Sequence, residues 1–279
     1  MIICIIAVLA IAFIIYGIWC NKALELNTYT IGSDRLPEPF DGYRIVHISD
    51  LHNTEMGKAN EKLLTMISSA EPDMIAITGD IIDSRRTDTE AALNFVKEAV
   101  KIAPCYYVTG NHEQRIAEYE DLKTDMKESG VIVLENEKEL IKLDDSAIIL
   151  AGVDDPMFTM DPTTQEPDMV MEAVLDELLD DSDGYTILLS HRPELFDVYV
   201  QKGTDIVLSG HAHGGQIKLP LAGGIISPGE GFFPKYYEGV YEKKRTQMVV
   251  SRGIGNSLFP LRINNRPELG VVILENSND

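Results

Sequence analysis

The sequence predicts an α/β protein, a four-layer α/β/β/α sandwich of two mixed sheets flanked by helices, preceded by one N-terminal transmembrane helix. Apolar, β-rich runs alternate with amphipathic helices over the first half of the domain, which is typical of a βαβ layer. After Gly215 the strand-like runs follow one another without intervening helices, which indicates a second sheet packed on the first. The first twenty residues contain no charged side chain.

The first predicted strands, at 43–49, 73–78 and 105–109, alternate with helices at 61–70 and 87–101. A helix at 114–130 ends at Gly130 and another is predicted at 168–180, inside an acidic segment (154–183) that we interpret as solvent-exposed. The remaining strands are predicted at 131–134, 139–143, 147–152, 185–190, 205–209, 216–219, 247–251 and 270–274.

The N-terminal run, 1–20, is predicted to be an uncleaved single-pass membrane anchor. Twenty helical residues span ~30 Å, the thickness of the hydrocarbon core, and Tyr16 and Trp19 lie at one end, where interfacial aromatic residues are enriched. A cleaved signal peptide is the alternative, but the run lacks a basic N-terminal region and a small-residue cleavage site. We predict a polar tether at 21–42 and a globular domain at 43–276.

The charge balance excludes some classes of partner. The chain has 24 Lys and Arg against 45 Asp and Glu, a net charge of −21. Nucleic-acid binding depends on basic patches, so no nucleic acid is expected as a partner. The same balance argues against simple electrostatic attachment to an anionic membrane. Two of the three cysteines lie in the anchor, so the sequence does not predict a disulfide framework.

Five of the six histidines follow apolar, strand-like runs, together with three oxygen-bearing side chains. Ligands of open α/β sheets bind beyond the carboxyl ends of the strands, so we expect these side chains to meet at one rim. His47, inside the first strand, is interpreted as structural. The candidate metal ligands are Asp50, His52, Asp80, Asn111, His191, His211 and His213, with His112 beside them.

The ligand types predict the kind of metal. Imidazole nitrogens mixed with oxygen donors, and no cysteine, suit Mn, Fe, Zn or Co rather than a thiolate-bound structural zinc. Seven ligands are too many for one tetrahedral ion. They fit two divalent ions that share a bridging carboxylate, an arrangement that clamps a phosphoryl group and activates a water molecule.

The order of these motifs resembles the calcineurin-like metallophosphoesterases, most closely a bacterial membrane-anchored phosphodiesterase branch. The motifs are Asp50-Leu51-His52, Gly79-Asp80, Gly110-Asn111-His112-Glu113, His191 and Gly210-His211-Ala212-His213, with Arg266-Pro267-Glu268-Leu269 near the end. The resemblance implies that Asp50, His52 and His213 hold one ion. It implies that Asn111, His191 and His211 hold the second and that Asp80 bridges both. It places His112 beside the phosphate, where it stabilises charge or protonates the leaving oxygen.

The resemblance implies a dimetal phosphoester hydrolase, a phosphodiesterase or pyrophosphatase, in which an activated water attacks phosphorus. The anchor favours a membrane-associated or cell-envelope substrate, with a lipid-linked phosphoester as a candidate. The branch implies an extracytoplasmic domain, although Lys22, the one nearby cation, favours a cytoplasmic one. The alternatives are a non-catalytic binding module of the same fold and a metal-dependent hydrolase of another bond, such as an amide or lactone.

Two further groups of residues leave alternatives open. Arg252, Arg262 and Arg266 can clamp a phosphate or brace loops. Four aromatic residues in a Gly- and Pro-rich loop can line an apolar wall for a substrate or pack into the core. They are Phe232, Phe233, Tyr236 and Tyr237. The sequence identifies no substrate-binding residue.

Overall fold

The computed structural model describes residues 1–180, 183–221, 223–228, 231–256 and 260–278. Its helices are α1 (Ile2–Lys22), α2 (Glu61–Ser69), α3 (Thr89–Ala99), α4 (Tyr119–Glu128), α5 (Pro167–Leu179) and α6 (Phe196–Gln201). Its strands are β1 (Glu25–Ser33), β2 (Arg44–Ile48), β3 (Met74–Thr78), β4 (Cys105–Val108), β5 (Ile132–Val133), β6 (Glu137–Leu143), β7 (Ser146–Gly152), β8 (Thr186–Leu189), β9 (Ile206–Ser209), β10 (Lys218–Leu219), β11 (Gly223–Gly224), β12 (Ile226–Ser227), β13 (Gly231–Phe232), β14 (Gly239–Lys243), β15 (Thr246–Val250) and β16 (Glu268–Asn276).

Two six-stranded sheets form the centre of the domain. The first has the strand order β1-β16-β2-β3-β4-β5 and the second has the order β14-β15-β9-β8-β7-β6. Strands β2 to β5 are parallel to one another, as are β7, β8, β9 and β15. Strand β16 runs antiparallel to β2, and β6 and β14 are antiparallel edge strands of the second sheet. Both sheets are therefore mixed, as predicted.

The apolar side chains form three layers, which confirms the α/β/β/α sandwich. A central layer between the sheets contains residues of both, such as Ala76 and Val108 from the first and Leu150 and Leu208 from the second. A second layer lies between the first sheet and α2, α3 and α4, and a third between the second sheet and α5 and α6. Strands buried on both faces explain why their sequences read as continuous apolar runs.

The predicted polar tether at 21–42 is wrong for Glu25–Ser33, which forms β1. This strand pairs in parallel with β16, from Glu25 opposite Glu268 to Ser33 opposite Asn276. Its side chains alternate in exposure, because it is an edge strand with one face toward the solvent. Its partner lies more than 200 residues away in sequence, so no local pattern shows the pairing. The sheet therefore begins almost directly after α1.

Other differences are small. The helix predicted at 114–130 is shortened to α4 because a 3₁₀ turn, Glu113–Arg115, precedes it. The strand predicted at 216–219 is reduced to β10, and α6 and β14 were not predicted. Among the described residues, one helix, α1, is long and apolar enough to cross a membrane.

The topology places the end of α1 at the same end of the domain as the candidate site. Strands β2, β3 and β4 end where Asp50, Asp80 and Asn111 follow. Because β16 is antiparallel to β2, the first residues of β16 and of its parallel neighbour β1 lie at this same end. We call this end of the domain the rim.

Candidate active site

The rim residues are held in an unusual backbone conformation. Asp50, His52, Asp80, His211 and His213 all have positive φ values, between 47° and 65°. Asp, Asn and His adopt this left-handed region more readily than most residues, yet it remains uncommon. Strained backbone is concentrated at functional sites. The turns that follow the strands therefore aim these side chains inward at a conformational cost.

Two glycines allow the loops to approach the carboxylates closely. A Cβ atom at Gly210 would lie 1.7 Å from the Ser49 hydroxyl and 2.5 Å from Asp50 Oδ2. A Cβ atom at Gly110 would lie 2.3 Å from Asp80 Oδ1. Real Cβ atoms do not tolerate such distances, so both positions require glycine.

A first cluster contains Asp50, His52 and His213, all buried, with potential ligand atoms within 4.8 Å of one another. Asp50 Oδ2 accepts the backbone N–H of His211 at 3.0 Å, which leaves Oδ1 facing the histidines. His213 Nε2 lies 3.3 Å from Asp50 Oδ1 and 3.2 Å from His52 Nε2. The sequence prediction that these three residues converge is thus met by the geometry.

A second cluster contains Asp80, His191 and His211, also within 4.8 Å of one another. His191 Nδ1 lies 2.8 Å from the carbonyl oxygen of Thr78, which can only accept, so Nδ1 carries the proton. In a neutral ring, His191 Nε2 then keeps its lone pair, 3.1 Å from His211 Nδ1 and 3.3 Å from Asp80 Oδ2. Metal-binding histidines are commonly oriented by such a bond from the other ring nitrogen.

Asp80, a member of the second cluster, also faces the first. Its Oδ1 accepts the backbone N–H of His112 at 2.8 Å. Its Oδ2 is 3.3 Å from His191 Nε2 in the second cluster and 3.7 Å from His52 Nε2 in the first. One carboxylate oxygen therefore faces ligands from both clusters, as a bridging group must.

The donor set fits divalent cations. Among the residues that the structure describes, Asp50 Oδ1 and Asn111 Oδ1 are buried acceptors without a hydrogen-bond partner. A buried oxygen without a partner is costly, and the close imidazole nitrogens add further lone pairs. Bound cations would satisfy these acceptors and lone pairs. Mixed histidine and carboxylate clusters of this kind are suited to divalent metal ions.

The electrostatics of the site also favour positive charge. Burial would lower the pKa of His191, but the carboxylates of Asp80 and Asp50 raise it to about 10. Burial would raise the pKa of Asp50, but the nearby His213 and His52 lower it instead. Burial lowers the pKa of His213 to about 3. At neutral pH the rim thus combines ionised carboxylates, a neutral His213 and a protonated His191, which would release its proton when a cation binds.

His112 differs from the other rim histidines in its partner. The backbone N–H of Ser84 donates to His112 Nδ1 at 3.0 Å, and the Ser84 hydroxyl lies 3.1 Å from the same atom. A backbone N–H can only donate, so Nδ1 accepts and the ring carries its proton on Nε2. Burial lowers the pKa of His112 to about 4, in keeping with this neutral form.

The sequence interpretation overlooked the role of Glu113, which is fully buried. Its carboxylate accepts the backbone N–H groups of Asp80 at 2.9 Å, Gly110 at 2.7 Å and Ile82 at 3.3 Å. It therefore joins the two loops that carry Asp80 and Asn111. Burial and the nearby Asp80 carboxylate raise the pKa of Glu113 to about 7.

The sequence interpretation also overlooked Arg192 and Asp155. The Arg192 guanidinium forms a forked pair with Asp155, at 2.5 and 3.1 Å, and its Nη1 lies 3.1 Å from His211 Nε2. Asp155 is buried although it belongs to the acidic segment interpreted as solvent-exposed. The adjacency of Arg192 to His191 in sequence was the available signal.

The C-terminal arginines brace the fold rather than face the clusters. Arg252 pairs with Glu268 at 2.9 Å and with Glu25 at 2.8 Å, and Arg266 pairs with Glu25 at 2.5 Å. Arg262 is fully buried and donates to backbone carbonyls of the neighbouring 252–255 loop. Of the two alternatives, the contacts are those of loop-bracing side chains.

The aromatic residues of the 232–237 loop divide into two pairs. Phe232 and Phe233 are exposed, at 73% and 64% of their surface. Tyr236 is buried against Phe196 and Tyr241, and Tyr237 is half-buried. The tyrosines therefore pack onto the domain, whereas the phenylalanines remain on its surface.

Comparison with known proteins agrees with this geometry. The family model for the calcineurin-like phosphoesterases matches residues 43–215. The uncharacterised metallophosphoesterase YkuE of Bacillus subtilis is 33% identical over 91% of this chain and 87% of its own length. A zebrafish transmembrane protein with a metallophosphoesterase domain is 28% identical over 96% of this chain and 61% of its own length. The phosphodiesterase YaeI of Escherichia coli is 26% identical over 83% of this chain and 82% of its own length. Family match, fold and clustered ligands agree: the chain belongs to the calcineurin-like phosphoesterase family.

Proposed function

We propose that this protein is a membrane-anchored, dimetal-dependent hydrolase of phosphodiesters or pyrophosphates. The observation that carries the proposal is the position of Asp80, whose Oδ2 faces His191 at 3.3 Å and His52 at 3.7 Å. A pair of divalent ions held on either side of a shared carboxylate polarises phosphoryl oxygens and activates a water as the nucleophile.

The two clusters, with Asn111 added to the second, would each hold one ion. Asp50, His52 and His213 would hold one ion, and Asn111, His191 and His211 the other. Asp80 would contribute to both. Support comes from the partnerless acceptors of Asp50 and Asn111 and from the Thr78 carbonyl, which orients His191 with its Nε2 toward the cluster.

His112 would act as a hydrogen-bond donor toward the phosphoryl group. The Ser84 backbone N–H occupies Nδ1, so the proton of the ring is on Nε2. A preorganised N–H that points to where negative charge develops stabilises the transition state. The family resemblance left two roles open for His112. Charge stabilisation agrees with the tautomer. Protonation of the leaving group would require a doubly protonated ring, in which Nδ1 could not accept the Ser84 N–H.

The proposed substrate is a phosphodiester or pyrophosphate at a membrane or in the cell envelope, with lipid-linked esters as the first class to test. The name of YaeI supports the diester, and the zebrafish relative is named as a transmembrane protein. Helix α1 supports membrane anchoring. For the side of the membrane, we propose an extracytoplasmic domain.

The central test measures metal content and activity on the full-length protein in detergent, reconstituted with Mn²⁺. The expected result is about two ions per chain and hydrolysis of bis-nitrophenyl phosphate or a nucleoside diphosphate sugar in preference to nitrophenyl phosphate. His211→Asn should lose metal and activity on every substrate. His47→Asn is the matched control, because His47 is equally buried but contacts Thr78 instead of the clusters.

Two outcomes would contradict the proposal. Retention of one ion at most would remove the dimetal centre. Two bound ions without hydrolysis of any phosphoester would favour the non-catalytic binding module.

The side of the membrane is tested separately. Protease added to spheroplasts of bacteria that produce the protein should cleave the domain, and protection until lysis would place it in the cytoplasm.

A further inference from the structure

A patch of exposed apolar side chains lies on the two small hairpins β10–β11 and β12–β13 and their flanking residues. Leu221 and Phe232 are the most exposed, and Leu221 and Phe233 adopt positive φ values of 72° and 59°. Bulky residues rarely adopt this conformation, and such strain marks functional segments. The members of this hairpin patch are Leu219, Leu221, Ile226, Phe232 and Phe233.

A ladder of backbone hydrogen bonds connects the hairpin patch to Ile263, which lies in the segment 261–264 that contacts α1. The N–H of Lys218 donates to Ile263 at 2.9 Å, that of Ile225 to Ile217 at 2.9 Å, and that of Phe233 to Ile225 at 2.8 Å. Neighbouring strands lie ~4.8 Å apart, so three steps place Phe233 on the order of 15 Å from Ile263.

The same segment packs against the last turns of α1. The Tyr16 hydroxyl donates to Asn264 at 2.6 Å, and Asn264 donates to the carbonyl of Lys218 at 3.2 Å. A Cβ atom at Gly17 would lie 3.2 Å from Leu261 and 3.3 Å from Ile263. The helix and the hairpins are therefore joined through one short stretch of chain.

These contacts fix the depth of residues 261–264 relative to the helix. Tyr16 lies ~9 Å along the axis from Lys22, the last residue of α1, at 1.5 Å per residue. The domain thus overlaps the helix by about two turns instead of beginning beyond it. A surface at the level of Tyr16 and Trp19 is at the membrane interface, where such aromatic residues are enriched.

The charge of the patch differs from that of the rest of the chain. The protein has a net charge of −21, which an anionic leaflet would repel. The stretch 216–234 contains only Lys218 and Glu230 as charged residues. Lys218 is paired with Glu238 at 2.7 Å. The patch therefore exposes apolar side chains with little charge in its own stretch of sequence.

We infer that the hairpin patch inserts into the same leaflet as the end of α1 and gives the domain a second membrane contact. Two contacts restrict the tilt of the domain relative to the bilayer plane, which one anchor alone does not. Because Ile225 also donates to the carbonyl of Gly215, two residues after His213, the contact holds the rim against the bilayer surface. The inference rests on the proposed membrane anchor and not on the proposed hydrolysis.

The test uses the single tryptophan of the chain, Trp19. The full-length protein is reconstituted into phosphatidylcholine vesicles with and without lipids brominated near the glycerol end of the acyl chains, which quench nearby indoles. Three proteins are compared: the natural chain, Trp19→Phe with Phe233→Trp, and Trp19→Phe with Leu143→Trp. Leu143 is the matched control, since it is also partly exposed. It pairs with Ser146, the first residue of β7, and therefore lies at the end of the second sheet that is far from the rim.

The expected result is a comparable loss of fluorescence for Trp19 and for the Phe233→Trp indole, with no loss for Leu143→Trp. Quenching of Trp19 without quenching of Phe233→Trp would overturn the inference and leave the anchor intact. An unquenched Trp19 would refute the anchor and the inference together. Equal quenching of all three would indicate non-specific adhesion and would also overturn it.

Discussion

The tautomer of His112 leads to a prediction that separates two mechanisms. The change is His112→Asn, which keeps the backbone N–H that bonds to Asp80 at 2.8 Å and removes only the ring. Neither metal cluster loses one of its proposed ligands. If the ring donates from Nε2 to the phosphoryl group, the loss of rate does not depend on the leaving group.

The magnitude follows from the loss of one preorganised donor. Removal of such a donor typically lowers kcat by ~10²–10³, or about 2.7–4 kcal/mol. A general acid contributes ~10²–10⁴, but mainly where the leaving group is basic. His112→Asn should therefore slow an alkyl phosphodiester and a nitrophenyl phosphodiester by about the same factor, while both ions are retained.

The assay measures kcat on both esters together with metal content. Ser84→Ala is the control, because it removes the hydroxyl 3.1 Å from Nδ1 but keeps the backbone N–H, and it should change both rates little. A loss on the alkyl ester at least about tenfold greater than on the nitrophenyl ester would identify His112 as the leaving-group acid. Loss of metal in His112→Asn would make it a ligand. Either result refutes the argument from the tautomer.

Three further predictions concern other residues. Asp80→Asn should lower the metal content from about two ions to about one, because the amide retains one oxygen but not the bridging charge; elemental analysis that still finds two ions would contradict the bridge. Burial raises the pKa of Asp154 to about 7 in the folded protein, against an ordinary value of 3.8, so the native state binds this proton more tightly and stability falls as pH rises from about 4 to 7. Asp154→Asn should therefore raise Tm at pH 7 and have little effect at pH 4, and an equal effect at both would refute the linkage. Arg262→Lys should destabilise the domain by about 1–3 kcal/mol, since lysine cannot replace the fork that satisfies buried carbonyls; an unchanged denaturation midpoint would contradict this.

The sequence by itself determined the elements whose signals are local. Apolar runs of four or five residues predicted β2, β3, β4, β8 and β9, because strands buried on both faces must be apolar. The polar residues after each run predicted the rim, because parallel strands place their carboxyl ends together. The uncharged run at the N-terminus predicted α1. These features needed only composition, periodicity and order along the chain.

The tertiary structure decided the features that depend on contacts between residues far apart in the sequence. Strand β1 was predicted as a tether because its pairing partner is β16, and an edge strand carries polar side chains on one face. Arg192 and Asp155 belong to no metal-ligand motif in the sequence, and only the tertiary structure brings them into contact. The protonated nitrogen of His112 depends on Ser84, which lies 28 residues earlier in the chain.

The relation between membrane and site was also decided by tertiary structure. The sequence predicts an anchor and a rim but not their relative position. Because β16 is antiparallel to β2 and parallel to β1, the helix leaves the domain at the end where Asp50 and Asp80 lie. Strand direction is set by long-range hydrogen-bond pairing, which leaves no periodic signal in the sequence.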